Sequence, residues 1–200
     1  MSDHAARQEA IVATALDLAE SRGVAGVTTA ALARRLQFTE AALYRYFPGK
    51  GAIIAAALRH MAERLFATML LELMPEAVPK GHAAHLQLQR HIQRFGLRNG
   101  LLLELLLNAS GNRDEALQIA GGELLQEYTR RMTAYFTQLQ ELRFTSTASP
   151  PEELARLWVC QLLGGFVRCR LAREPWDPVE QPGFHAFLAQ LQSSVSLAAS

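Results

Sequence analysis

From Arg22 to Lys50 the chain carries the cations Arg22, Arg34, Arg35, Arg45 and Lys50 against a single acid, Glu40. Interleaved with them are the hydroxyls of Thr28, Thr29, Thr39, Tyr44 and Tyr46. Cations and hydroxyl donors concentrated in so short a stretch suit phosphate oxygens, which take both charge and hydrogen bonds. Ala41 and Ala42, side by side among them, are small enough to let a backbone approach base edges, and their methyls can meet a thymine methyl. Arg45 has the planar fork that pairs with guanine O6 and N7. The chemistry on offer is recognition of a nucleic acid, with the hydroxyls of Tyr44 and Tyr46 and the Lys50 ammonium for phosphates and Ala41, Ala42 and Arg45 for bases. Each residue also has a blander reading: tyrosines as amphipathic surface packing, Lys50 as a solvated charge, the threonines as helix caps and Glu40 as a first-turn acid.

No catalytic pattern competes. The segment FPGKGA lacks the leading glycine of a phosphate loop and the hydroxyl residue after its lysine. GxSxG, HExxH and CxxC are absent. His82 and His85 share a helix face while His91 lies well round from them, so no metal is assigned. No cofactor is assigned either. Cys160 and Cys169 are nine positions apart in one helical stretch, roughly 13.5 Å along its axis and on opposite faces, too far apart to pair within it. They read as two buried thiols of a reducing compartment.

With 200 residues, half of them hydrophobic and a fifth charged, the chain can bury a sizeable core, and its net charge of +1 gives no global case for nucleic acid. The case is local. The N-terminus has no signal-peptide pattern, and the apolar run Leu101 to Leu107 is interrupted by Glu104 and too short for a bilayer. A cytoplasmic, nucleoid-associated location without membrane contact is the expectation.

Positioning those side chains takes helices. Apolar residues recur at helical spacing and no useful stretch alternates, so the chain reads as all-α with about nine helices. A first helix carries Ile11, Ala15 and Leu18, with Val12, Leu16 and Ala19 beside them, and stops at Gly23. Thr28 caps a short second helix with Leu32 and Leu36. Thr39 caps a third, ending before Pro48 with Leu43 and Phe47 turned to the core. A fourth runs from Lys50 to about Met74, with Ile53, Ile54, Leu58, Met61, Leu65 and Met69 as its apolar stripe. Further helices are expected at about 82–98, 100–109, 113–143, 151–173 and 183–197. Short helix, three-residue turn, short helix is the geometry of a helix-turn-helix, whose second helix enters the major groove. Residues 1–50 are therefore assigned to DNA binding and 51–200 to a helical dimerisation and regulatory domain.

The stretch TTAALARRLQFTEAALYRYFPGK, Thr28 to Lys50, closely resembles the DNA-binding head of TetR-family regulators, with its recurring T, LA, turn and LYxxFxxK. The resemblance spans about residues 7 to 55. It implies a TetR-like fold, phosphate binding by Tyr44 and Lys50, and base contacts from Ala41, Ala42, Arg45 and Tyr46. It implies no enzyme activity. One position departs: the family's usual turn glycine is Gln37 here, so a residue with a side chain must go left-handed at a cost on the order of 1 kcal/mol. EAALYRYFPGK with FGLRNGLL (Phe95 to Leu102) and QLLGGFVRCRLAREPWDP (Gln161 to Pro178) is similar to the family's nucleoid-occlusion branch. That branch binds chromosomal sites and, when bound, antagonises the division protein FtsZ.

One short reading helix covers too few bases for useful specificity, so a two-fold dimer on a pseudo-palindromic operator in double-stranded DNA is expected. Its helices would be the last two, with Leu157, Val159, Leu162, Leu163, Gly164, Gly165, Phe166, Phe184, Phe187, Leu188 and Leu191. Paired glycines inside an apolar helix cost roughly 1 kcal/mol each against alanine, which close helix packing would offset. A core within one chain is the other reading. His91, Phe95, Tyr128, Phe136 and Trp158 are aromatic candidates for an effector pocket, but such stripes are more often core and no ligand is assigned. A small-molecule effector or protein partner would act only through differential affinity for two states. The leading function is a transcriptional repressor, with nucleoid occlusion as the alternative.

Overall fold

A computed structural model describes residues 3–73, 90, 91, 93, 100–142, 148–181, 183–187 and 191, with the side chains of residues 70–72 left aside. Among them the elements are α1 (Asp3–Arg22), a 3-10 turn (Val24–Gly26), α2 (Thr29–Leu36), α3 (Glu40–Leu43), α4 (Lys50–Leu73), α5 (Gly100–Ser110), α6 (Glu115–Glu141) and α7 (Pro151–Ala172). Helical backbone also occurs at residues 183–187, and no strand occurs among the described residues. The protein is all-α. Most of the stretch 82–98 and of 183–197 lies outside the described residues, as do His82, His85, Phe95 and Leu188.

The described chain divides into two compact units, Met1–Arg64 with Leu101–Leu124, and Leu65–Gly100 with Leu125–Ser200. In the first, α1 buries Ile11, Val12, Ala15, Leu18 and Ala19, the i, i+4, i+7 face of its sequence. Gly23 ends it at φ 72°, a conformation that costs glycine nothing. Thr28 Oγ1 accepts the Ala31 N–H at 3.1 Å and opens α2, which buries Ala31, Leu32 and Ala33. Gln37 then adopts φ 57°, ψ 37°. Its strain is offset by a closed C-terminal motif in which the Phe38 N–H reaches the Ala33 carbonyl at 2.8 Å. α4 buries Ile53, Ile54, Leu58, Leu65 and Met69, while Met61 is half-buried.

α3 is shorter than its sequence suggests. Regular helix covers only Glu40–Leu43, and residues 44–46 form a turn. Helical hydrogen bonding continues, since the Phe47 N–H reaches the Leu43 carbonyl at 3.0 Å. Pro48 is the cause: the residue before proline is pushed towards extended backbone, so the last turn cannot stay regular.

The second unit is centred on Trp158, which is fully buried, with ring centroids 5.7 Å from Phe184, 5.7 Å from Phe187 and 6.5 Å from Phe136. Its indole N–H donates to the Tyr128 hydroxyl at 2.9 Å, which answers the indole's need for a buried partner. Burial holds the Tyr128 phenol well above its ordinary range. The aromatic residues considered as pocket lining, Trp158, Tyr128 and Phe136, are thus packed on one another, and His91 is buried too. α7 ends at Arg173, left-handed at φ 58°. Of the two free thiols Cys169 is buried but Cys160 is exposed, correcting the expectation that both lie inside. Nine positions do place them on opposite faces, and only one face of α7 meets the core.

Candidate nucleic-acid interface

The site is built on a cap and an anchor. Thr39 Oγ1 accepts the Ala42 N–H at 3.1 Å, fixing where α3 begins. Leu43 is 1% exposed, fixing which way it faces. On the outer side stand Ala41, Tyr44 and Arg45, all exposed and spaced i, i+3, i+4, so they share one face. Ala42 is half-buried. Tyr44, at 54% exposure, is an aromatic side chain that the fold leaves in solvent.

Lys50 opens α4, half-buried, where the helix dipole adds positive potential. Thr28 and Thr39 are exposed caps, and Thr29 in the first turn of α2 is half-buried. Arg34 and Arg35 are exposed on the last turn of α2, with Arg35 3.8 Å from Asp17 in an open ion pair worth little. Cations, hydroxyls and two small methyls are therefore gathered on one unit of the protein. That arrangement can neutralise phosphates and present a guanidinium to base edges, with no nucleophile or general base needed.

Tyr46 stands apart from its neighbours. It is half-buried, its ring centroid 5.0 Å from that of His4 and 6.3 Å from that of Phe38. Its carbonyl accepts Gln8 Nε2 at 3.1 Å, and Arg7 lies over the Phe38 ring at 5.6 Å. The first turns of α1 thus brace the end of the reading helix. Sequence reasoning missed His4, Arg7 and Gln8; their i, i+3, i+4 spacing was the available signal.

Residues 11–57 match the family model described as bacterial regulatory proteins, tetR family. Over that stretch the chain carries the N-terminal unit of TetR-family regulators. That unit makes it a DNA-binding regulator of the TetR type. Across its length it is 28% identical over 179 residues to the nucleoid occlusion factor SlmA of Marinobacter nauticus, covering 88% of this chain and 91% of that one. To SlmA of Aliivibrio fischeri strain MJ11 it is 27% identical over 204 residues, covering 94% and 95%. Among solved structures it is similar to SmeT, the repressor of the Stenotrophomonas maltophilia multidrug efflux pump SmeDEF. The TM-score is 0.71 at 18% identity, over 94% of this chain and 92% of that one, a likeness of fold.

The residues considered for dimerisation fall into two groups. Leu162, Phe166, Phe184, Phe187 and Leu191 are buried within the single chain, and Gly165 packs against Trp176. Leu157 and Gly164 are exposed, and a methyl on Gly164 would meet nothing within 4 Å. With Cys160 and Leu171, the latter 82% exposed, they form one stripe of α7 at i, i+3, i+7, i+14. No described helix is long and apolar enough to cross a membrane.

Proposed function

We propose that this protein is a homodimeric, sequence-specific transcriptional repressor. The observation that carries the proposal is the Ala41–Tyr44–Arg45 face, held outward by Leu43 and capped by Thr39, beside Lys50 at the head of α4. Tyr44, Lys50, Thr28, Thr29 and Thr39 bind phosphates. Arg45, Ala41 and Ala42 read bases, with Tyr46 bracing them from the α1 side. Residues 1–50 form the reading domain, and 51–200 serve dimerisation and regulation in the cytoplasm. Two copies pair through α7 along Leu157, Gly164 and Leu171, placing two reading helices on successive major-groove faces of a pseudo-palindromic operator.

A second reading, nucleoid occlusion, is favoured by one specific observation: the SlmA relatives match over nearly their whole length, not over the head alone. In that case the DNA-bound protein acts on the division protein FtsZ instead of on a promoter. Mapping occupied sites on the chromosome separates the two. One or two sites beside the protein's own operon support repression; many sites scattered away from promoters support nucleoid occlusion. No enrichment at any site contradicts both. Light scattering at micromolar concentration tests the dimer, which a monomer's mass would rule out.

A further inference from the structure

We propose that the turn between α5 and α6 adds a further phosphate contact, Arg113, to the DNA-facing surface, positioned by Asp114 against the first turn of α4. Asp114 lies so close to Gly51 that a methyl group there would overlap its carboxylate. Gly51 follows Lys50 directly, so the turn sits on the same helix start that carries the proposed phosphate lysine.

The turn is held rigidly. The Asp114 N–H donates to Asn112 Oδ1 at 3.0 Å, and Asp114 Oδ1 accepts the Leu117 N–H at 3.2 Å, capping α6. Gln118 Nε2 donates to the Asn112 carbonyl at 2.8 Å, and the Asn112 N–H reaches the Ala109 carbonyl at 3.3 Å. Asp114 and Asn112 are thereby occupied, leaving Arg113 between them exposed and, among the described residues, without an ion pair. An arginine on a fixed turn keeps its backbone placement before binding, so a phosphate contact orders only the side chain.

Gly51 belongs to the same logic. Its missing side chain is what lets the turn approach, and alanine would force the carboxylate away. The surface that meets phosphate therefore reaches beyond the first fifty residues, to a position more than sixty residues later in the chain.

This inference rests on the DNA-reading function proposed above. Phosphate contacts are independent of sequence, so a mixed-sequence DNA duplex serves as the probe. Fluorescence anisotropy across a salt series should show Arg113→Ala and Arg113→Gln binding several-fold more weakly at low salt. Their log–log salt slope should be shallower by about one unit per protomer, and Arg113→Lys should retain the wild-type slope. Thermal unfolding of all three should match wild type, because the side chain is exposed. Wild-type slopes in both Arg113→Ala and Arg113→Gln overturn the Arg113 contact and leave the reading helix untouched. A wild-type protein whose binding does not depend on salt overturns the DNA-reading function and this inference with it.

Discussion

Gln8 Nε2 donates to the Tyr46 carbonyl oxygen at 3.1 Å, joining α1 to the end of the reading helix across 38 positions of sequence. The bond falls where Pro48 has just interrupted the regular helix, so it holds a carbonyl that the helix itself no longer uses. Gln8→Ala should cost about 1 kcal/mol in denaturant unfolding, the ordinary worth of such a bond. It should also weaken DNA binding, because the turn carrying Tyr44 and Arg45 loses a brace. Unchanged unfolding and unchanged affinity together would show that the bond does no positioning.

Gln37 is a non-glycine residue in the left-handed region at the end of α2. Gln37→Gly should raise the melting temperature, since removing the Cβ relieves a strain of about 1 kcal/mol, offset in part by glycine's greater freedom in the unfolded chain. A lower melting temperature measured by calorimetry would mean that the Gln37 side chain contributes more than its backbone costs.

Much of the head was legible because its determinants are local. Thr28 and Thr39 each cap a helix three residues away, Gly23 stops one beside it, and Lys50 starts one just after Pro48. A sequence read in short windows exposes such signals. Tyr46 was harder, because its packing depends on His4 and Gln8, far back in the chain. The face of α7 was harder still. Spacing showed that Cys160 and Cys169 oppose each other, but which of them faces inward depends on Trp158, Phe184 and Phe187 meeting at the core. Periodicity gives the faces of a helix; only tertiary packing says which one is covered.

Gly164 lies on the uncovered face of α7 in open space. Within a lone chain Gly164→Ala should stabilise the helix by roughly 1 kcal/mol. In a dimer packed closely along Leu157, Gly164 and Leu171 the added methyl should instead drive the helices apart. Sedimentation across a dilution series should therefore show dissociation at higher concentration than wild type. A dimer as tight as wild type or tighter would move the interface elsewhere.

Glu127 is held by a forked hydrogen-bonded pair with Arg130 at 2.7 Å and by Arg131 at 2.7 Å, which lower its carboxyl from 4.5 to about 2. Arg131 also donates to the Phe66 carbonyl at 3.0 Å and covers that ring at 4.6 Å. A depressed carboxyl pKa stabilises the fold fully above its unfolded value, and that contribution fades as pH falls from about 4.5 towards about 2. The stability gap between wild type and Glu127→Gln should be constant near neutral pH and narrow through this window. A gap that stays level down to about pH 3 would contradict the pairing.

The central claim is that Tyr44 and Lys50 position the reading helix on phosphate, and salt-dependent binding of the double variant Tyr44→Ala/Lys50→Ala tests it most directly. Binding should weaken on every DNA sequence, and the salt slope should become shallower by about one unit for each phosphate that Lys50 no longer neutralises. A double variant that matches wild type in both affinity and slope on its own site would contradict it.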